Sequence, residues 1–341
     1  MPAIARAVLS LSFVLWSHAA LAKEARRVTV DNFARAETDT YFAKFVREGE
    51  LGKFKHERGL ASIDNQTVIR LNRDTLYSFG VFDLDAGPVT VTLPDSSGRF
   101  LSLMVVNQDH YVQNVFYAPG THTFTKADIG TRYVCLGVRT FVDPNDKADL
   151  AKVHALQDAI QVEQTAAGEF TIPDWDAASH KKIRDAILAL SNANGALDSA
   201  RMFGRKDQVD PVEHLLGTAA GWGGNPAAAA LYAGVVPEKN DGKTPYVLTI
   251  SDVPVDGFWS ISVYNEAGYF EKNKYDAYTV NNVTAKKDAD GSVTIHFGGD
   301  ESATNFLPIT PGWNYLLRMY RPRPELLSGE WKPPVAEAVA Q

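Results

Sequence analysis

The chain has 341 residues, of which 34 are Lys or Arg and 41 are Asp or Glu, so its formal net charge is −7. A mildly acidic chain without a block of basic residues is a poor nucleic-acid binder, because contacts to phosphates need clustered cations. Charged residues make up 22% and hydrophobic residues 45%, which is typical of a globular protein and excludes a disordered one. The single cysteine, Cys135, excludes an intrachain disulfide and a cysteine-based zinc site. The length exceeds the size at which one core stops growing, so we expect two domains.

The first 22 residues are predicted to be a signal peptide. Arg6 precedes an apolar run over residues 7–16, and Ala20-Leu21-Ala22 has the small residues that a signal peptidase reads. The apolar run is too short to cross a bilayer, and the polar residues 23–27 that follow argue against a buried N-terminal helix. No later stretch approaches the roughly 20 apolar residues of a membrane span. We therefore expect an exported protein, periplasmic or secreted, that does not span the membrane.

The predicted N-terminal β domain covers residues 23–143 and begins with a helix. Aromatic residues at helical spacing predict that helix over residues 31–48, and Gly49 ends it. Residues 100–106 are apolar on both faces, which predicts a central strand. The other predicted strands are Thr75–Asp83, Val89–Leu93 and residues 132–141.

A helical block is predicted over residues 144–241, where the hydrophobic spacing changes from two residues to three or four. Asp210 followed by Pro211 is a strong helix start, because the Asp side chain can cap and Pro suits the first helical position. Further helices are predicted over residues 145–160, residues 176–190 and residues 226–233.

The predicted C-terminal β domain covers residues 242–341. Strands are predicted over Tyr246–Ile250, residues 258–264, Val293–Phe297 and residues 313–320. In the second of these, Trp259, Ile261 and Val263 should share one face and Ser260 and Ser262 the other. The order of β block, helical block and β block predicts a mainly β fold of sandwiches or jelly rolls with helical insertions, and no βαβ alternation argues for a Rossmann sheet.

The first polar segment, residues 72–77, is the most unusual polar cluster that enters a strand. Arg73 offers a planar fork for carboxylates or sugar hydroxyls, and Asp74 offers a general acid or base. In an extended chain Asn72 and Asp74 share one face, and Arg73 and Tyr77 share the other. A structural alternative is an Arg–Asp pair that fixes the end of the strand.

The second polar segment, residues 107–111, follows the predicted central strand. Polar groups at the end of a buried strand are costly unless they are paired or used. Asp109 next to His110 offers a general acid or base and a group to orient it. The alternative is a capped turn whose side chains are solvated.

The remaining motifs are weaker indications of a catalytic or binding site. Trp222, in a glycine-rich stretch, is either an exposed ring for stacking on a sugar or part of a tight connection between helices. Neither an H-E-x-x-H motif nor a close pair of histidines occurs, so no metal site is expected, and no sequence motif indicates a cofactor. A G-x-S-x-G elbow is also missing, which argues against a serine esterase.

A set of segments spread over the chain resembles the signature of a known family. It begins with residues 72–78 followed by residues 81–84. It continues through residues 98–100, 105–111, 153–158, 217–226, 257–260, 290–292 and 311–322. On these residues the sequence resembles a bacterial family with paired domains of unknown function, numbered 1254 for the N-terminal half and 1214 for the C-terminal half, and it is similar to the compact branch of that family. The resemblance implies two jelly-roll-like β-sandwich domains with a helical block between them, often self-associating, but no settled activity.

The predicted function is hydrolysis or binding of a small glycan or polar ester. Asp74 and Asp109 are the candidates for acid–base catalysis, Arg73 for charge stabilisation and His110 for proton transfer. A pair of carboxylates on facing strands is what glycoside cleavage needs. We therefore expect the two polar segments to lie on neighbouring strands and to share one cleft.

Four further residues are candidates for substrate binding. Tyr77 and Trp222 could stack on a ligand, and Asn72 and Asn107 could hydrogen-bond to it. The alternative function is a non-catalytic envelope scaffold that assembles as a homo-oligomer. A scaffold would show the polar residues paired separately and apolar patches on the sheets, whereas an enzyme would show them in one concave site.

Overall fold

The structure is a computed structural model that describes residues 25–66, 69–144, 146–194 and 199–339. The predicted signal peptide lies outside the described residues, so it stays a prediction. Within the described ranges, none of the helices has the length and apolar character that crossing a bilayer requires.

Seven α-helices occur in the described part of the chain, and a single 3-10 turn, Val30–Asn32, precedes the first. They are α1 (Phe33–Arg47), α2 (Lys126–Ile129), α3 (Lys147–Asp158), α4 (Ala177–Asn194), α5 (Ser199–Met202), α6 (Pro211–Ala220) and α7 (Pro324–Leu327). The predicted start of α6 is confirmed, because the Asp210 carboxylate accepts hydrogen bonds from the backbone N–H groups of Val212 and Glu213.

Sixteen strands occur in the same residues, and they form four sheets. The first eight are β1 (Lys55–His56), β2 (Thr75–Asp83), β3 (Val89–Leu93), β4 (Leu101–Asn107), β5 (Val112–Tyr117), β6 (Gly120–Phe124), β7 (Tyr133–Phe141) and β8 (Gln161–Glu163). The second eight are β9 (Ala230–Val235), β10 (Tyr246–Ile250), β11 (Trp259–Tyr264), β12 (Thr279–Asn281), β13 (Val293–Phe297), β14 (Phe306–Leu307), β15 (Asn314–Tyr320) and β16 (Glu337–Ala338). The strand pairs are antiparallel except for β13 with β14.

The first eight strands form a β-sandwich. Sheet A, in the order β1-β2-β7-β4-β5, packs on sheet B, in the order β6-β3-β8. Their shared core contains Leu103, Val105 and Leu136 from sheet A, and Val89 and Val91 from sheet B. The alternation of side chains along a strand explains why sheet A has a second apolar face, which α1 covers.

The second eight strands form another β-sandwich, so the mainly β fold with two jelly-roll-like sandwiches is confirmed. Sheet C, in the order β12-β11-β15-β9, packs on sheet D, in the order β14-β13-β10-β16. Trp259, Ile261 and Val263 point into this core as predicted. Ser260 and Ser262 point away from it and are nevertheless fully buried, because that face of sheet C lies against the first sandwich.

One predicted helix is wrong. Residues 226–233 were predicted to be helical, but the chain makes a short turn there and then enters strand β9. Ala230 and Leu231 pair with Tyr320 and Met319 of β15, so tertiary pairing overrides the local helix preference of the alanines. The helical block therefore supplies edge strands to both sandwiches, since β8 in the same stretch pairs with β3.

An aromatic cluster joins the two sandwiches. Phe100 and Phe141 belong to the first half, and their rings lie 5.2 and 4.8 Å from that of Phe258 in the second half. Tyr320 stacks on Phe258 with ring centroids 4.4 Å apart. Phe141, Phe258 and Tyr320 are buried, so this joint is continuous with the protein interior.

Candidate functional site

The two polar segments lie at opposite ends of sheet A. Strand β7 lies between β2 and β4, so β2 and β4 run in the same direction. The backbone carbonyl of Asp74, before β2, accepts a hydrogen bond from Val142, whereas Asn107, at the end of β4, pairs with Val134. Eight residues of β7 separate these positions, which is roughly 26 Å. The prediction that the segments share one cleft on neighbouring strands is therefore wrong.

The first polar segment is built into the contact between the sandwiches. The Asn72 side chain accepts a hydrogen bond from the backbone N–H of Asp74 and donates one to the hydroxyl of Tyr320, 3.0 Å away. The Asp74 carboxylate accepts hydrogen bonds from the Asn281 amide at 3.1 Å and from the Thr279 hydroxyl at 3.4 Å. Asn72 and Asp74 thus hold the start of β2 against sheet C.

Asp74 has no exposed surface and is not positioned for acid–base catalysis on a ligand in solution. Burial raises the pKa of its carboxyl, while the Ser260 hydroxyl and the positive charge of Arg318 oppose that shift. Its Oδ2 atom and the Ser260 hydroxyl are buried without a hydrogen bond of standard geometry to any described residue. Arg318 donates to the backbone carbonyls of Arg70 and Leu71, so the same arginine fixes the chain just before Asn72.

Asp109 lies in the turn after β4 and forms a peripheral ion pair. Its Oδ1 atom is 2.8 Å from Nε and 2.7 Å from Nη2 of Arg35 on α1. The two side chains are 40% and 35% exposed, so the pair is well solvated. Asn107 closes the turn, because its side-chain oxygen accepts hydrogen bonds from the backbone N–H groups of Asp109 and Tyr111.

The imidazole of His110 is fixed in one neutral form. The Thr218 hydroxyl donates to the carbonyl of His214, so it accepts from Nδ1 of His110 at 2.8 Å. The backbone N–H of Gly223 donates to Nε2 of the same ring at 2.9 Å. Burial lowers the pKa of His110 well below its ordinary value, and His214 adds to the shift. A ring that is buried, neutral and satisfied at both nitrogens is unsuited to the predicted proton transfer.

Tyr77 and Trp222, which were predicted to stack on a ligand, belong to one row of rings, in which Tyr77 is one end and Trp222 lies between Phe45 and Tyr41. We call Tyr41, Phe45, Tyr77, Phe79 and Trp222 the aromatic stripe; all five are half-buried. Tyr77 stacks on Phe79, Phe79 on Phe45, and Trp222 on Tyr41, with centroids 5.5, 5.1 and 4.3 Å apart. Phe45 also meets Trp222 at 6.0 Å, so the stripe runs without a break between sheet A and α1.

A separate cleft of about 250 Å³ lies where the two sandwiches meet, and Arg73 lines it. We call it the Arg73 cleft. Three aromatic rings line it, those of Tyr275, Tyr278 and Phe306, and its polar lining includes Asp276, Thr279 and Thr284. Of the predicted site residues, only Arg73 lines it, and Asp74 lies directly beneath it through its contact with Thr279.

Arg73 is held in the cleft by contacts from both sandwiches. Nη1 donates to the carbonyl of Ala61, and the guanidinium carbon lies 5.1 Å from the centre of the Tyr278 ring. Burial lowers the pKa of the guanidinium, and the negative charges of Asp276 and Asp74 oppose that shift. The remaining N–H groups have no hydrogen-bond partner among the described residues and can donate to a ligand.

Sequence reasoning missed the C-terminal residues of this cleft. Residues 275–278 lie in a polar loop that precedes a strand of three residues, β12, and the loop carries no recognisable motif. Clusters of three or more His, Cys, Asp or Glu side chains that could hold a metal ion are not found in the described ranges.

Comparisons with known proteins identify relatives but no activity. A family model described as "Protein of unknown function (DUF1254)" matches residues 51–128, and one described as "Protein of unknown function (DUF1214)" matches residues 233–324. No curated protein matches the chain.

Two solved structures are similar to this one. The VPA0106 protein from Vibrio parahaemolyticus is 20% identical, with a TM-score of 0.70 over 91% of this chain and 98% of that chain. A putative uncharacterized protein from Burkholderia cenocepacia is 14% identical, with a TM-score of 0.51 over 90% of this chain and 86% of that chain. At these identities the likeness extends to the fold alone.

Proposed function

We propose that this chain, which belongs to the family that pairs the domains of unknown function 1254 and 1214 in that order, binds a small neutral glycan in the Arg73 cleft. The observation that carries the proposal is the lining of the cleft. The lining combines aromatic faces, hydroxyl groups and a guanidinium with N–H groups that have no partner in the described residues. Aromatic faces can stack on a sugar ring, and the polar groups can hydrogen-bond to its hydroxyls.

The charge balance of the cleft favours a neutral ligand. Arg73 brings one positive charge, and Asp276 in the same lining brings one negative charge. Arg73 would attract an anionic ligand and Asp276 would repel it, and the reverse holds for a cationic ligand. Electrostatics therefore adds little to the affinity for a ligand of either charge. Hydroxyl groups can instead accept from the guanidinium and donate to the carboxylate.

Binding is favoured over hydrolysis because the cleft offers one carboxylate. Glycoside cleavage generally uses two carboxyl groups on either side of the scissile bond. Asp276 is the single acidic residue in the lining, Asp74 is sealed beneath Thr279, and Asp109 lies at the far end of sheet A. The predicted catalytic pair thus has no counterpart in the cleft.

The test is a calorimetric titration with a panel of mono- and disaccharides. We expect at least one neutral sugar to bind, and Arg73→Met and Tyr275→Ala each to weaken that binding about tenfold, as for a lost charged hydrogen bond or stacking face. Arg323→Met is the matched control, because Arg323 is exposed and pairs with Asp256 away from the cleft.

Two results would contradict the proposal. One is a sugar affinity that neither Arg73→Met nor Tyr275→Ala changes. The other is release of cleaved sugar from a disaccharide that Asp276→Asn abolishes, which would make the protein a hydrolase.

A further inference from the structure

Arg139 is a buried cation without a carboxylate partner. It lies on the central strand β7 with 8% of its surface exposed, and it forms no ion pair among the described residues. Its Nη2 atom donates to the carbonyl of Gly223 at 3.1 Å. Nη1 lies 3.4 Å from the side-chain oxygen of Asn225 and 3.6 Å from the sulfur of Met104, and the hydroxyl of Tyr77 also favours the charged guanidinium. A buried charge in such surroundings is costly unless something else compensates it.

Arg318, which is also buried, shows how a buried arginine is compensated elsewhere in the described residues. Arg318 donates to Ser262 at 2.9 Å, to the Tyr264 hydroxyl at 2.6 Å and to two backbone carbonyls at 2.7 and 3.2 Å, and the carboxyl of Asp74 is nearby. Arg139 has neither that number of short hydrogen bonds nor a nearby carboxylate. This difference between the two arginines indicates that the guanidinium of Arg139 can bind an anionic group that does not belong to the chain.

Polar groups from both sandwiches surround Arg139. The guanidinium carbon lies 5.5 Å from the centre of the Tyr77 ring. The hydroxyl of Tyr232 on β9 accepts a hydrogen bond from Asn225, whose side-chain oxygen faces Arg139. In this contact the Tyr232 hydroxyl is the acceptor, so its O–H group is available to donate to an anion. Tyr77 and Tyr232 are half-buried, which places the guanidinium close to the surface.

Arg139 also lies at one end of the aromatic stripe. Tyr77 is the last ring of that stripe, and Phe79 and Phe45 continue it towards α1. A flat apolar group bound beside Tyr77 and Phe79 would therefore carry a substituent next to the guanidinium. An aromatic acid fits this arrangement, because its ring can pack against the edges of the Tyr77 and Phe79 rings while its planar carboxylate matches the fork of an arginine.

We propose that Arg139 is the anchor of a second binding site, distinct from the Arg73 cleft, which takes an aromatic carboxylate. The carboxylate accepts hydrogen bonds from the guanidinium of Arg139 and the hydroxyl of Tyr232, and the ring lies against the aromatic stripe. The two sites differ in charge balance. Arg73 is matched by Asp276, whereas Arg139 has no acidic side chain in ion-pair distance within the described residues, so this site selects an anion.

The test uses benzoate and phenylacetate as probes, with benzamide and phenylacetamide as neutral matched controls. The full chain is titrated with each by calorimetry, and the shift in melting temperature is recorded. We expect one or both acids to bind and to raise the melting temperature, and the amides to bind at least about tenfold more weakly. Arg139→Met should weaken binding of the acid by about tenfold or more, and Arg73→Met should leave it unchanged.

A conservative variant keeps the test decisive if Arg139→Met does not fold. Arg139→Lys retains the charge but not the planar fork, so binding should weaken without being lost, and Tyr232→Phe should weaken it severalfold. The proposal fails if neither acid binds at concentrations up to about 10 mM. It also fails if the amides bind as tightly as the acids, or if Arg73→Met rather than Arg139→Met removes the binding. None of these outcomes depends on whether the Arg73 cleft binds a sugar.

Discussion

Glu50 shows how a single residue can make the stability of this protein depend on pH. The residue is 2% exposed, and its Oε2 atom has no hydrogen-bond partner among the described residues. The nearest cation, Lys55, is 4.0 Å from Oε1 and makes shorter ion pairs with Glu48 and Glu57. Burial raises the pKa of Glu50 to about 8, and Lys55 opposes that shift only in part. The folded protein therefore favours the protonated carboxyl.

The free energy of unfolding should fall as the pH rises from 4.5 to about 8, the interval between the unfolded and folded pKa values of Glu50. Below that interval both states hold the proton, and above it the folded state carries the full cost of a buried charge. Each unit of pKa shift corresponds to about 1.4 kcal/mol, so the loss amounts to several kcal/mol. Glu50→Gln should remove this part of the pH dependence in urea titrations at pH 5 and pH 9. Glu48→Gln, which removes a solvated carboxylate, should leave the slope between those pH values nearly unchanged.

At the scale of elements, strand boundaries were predictable and strand neighbours were not. Strands β2, β3, β10 and β13 have the predicted bounds, because the alternation of apolar and polar residues is a local pattern. The pattern does not reveal that β7 lies between β2 and β4, and that order is what separates the two polar segments. Strands β5 and β6 were not predicted, and β9 was predicted to be helical, because their residues become strands only through pairing.

Asp74 and Asp109 lie at opposite ends of sheet A and in different surroundings. Substitution by alanine should therefore lower the free energy of unfolding by different amounts at the two positions. Asp74→Ala should lower the free energy of unfolding by about 2–3 kcal/mol, because it leaves the buried Asn281 amide without its acceptor and removes a carboxyl near Arg318. Asp109→Ala should cost at most about 1 kcal/mol, because its pair with Arg35 is solvated. Equilibrium urea denaturation measures both. Equal costs would mean that the contact between the sandwiches does not depend on Asp74.

At the scale of the whole molecule, the contact between the sandwiches is both apolar and polar. Phe258 packs on Phe141 and Tyr320, and Asn72 donates to the Tyr320 hydroxyl. The buried Arg318 reaches across to the carbonyls of Arg70 and Leu71. A joint of this kind should make the two sandwiches unfold together, although each has a core of its own.

Differential scanning calorimetry should therefore show one transition for the unaltered protein and two for Phe258→Ala. That substitution empties the centre of the joint and should cost about 3–5 kcal/mol. Ile261→Ala is the matched control, because Ile261 is fully buried in the second core and does not touch the joint. It should give a single transition at a lower temperature. Two transitions in the unaltered protein would contradict this prediction.

The sequence alone determined the mainly β class, the bounds of eight of the sixteen strands in the described residues to within one residue, the cap of α6 and the polar character of the first segment. Each of these depends on residues that are close along the chain. The sequence also held a signal for Arg139, a charged residue within a strand of apolar neighbours, although nothing local shows that the charge lacks a partner. Only the tertiary structure decided which polar groups meet. It buried Asp74 against Asn281 and Arg318, and His110 between Thr218 and Gly223. It also brought Arg73 against residues some 200 positions later in the chain and left Arg139 without a carboxylate. The physical reason is that the compensation of a buried charge depends on contacts between distant segments, and strand order rather than strand pattern sets those contacts.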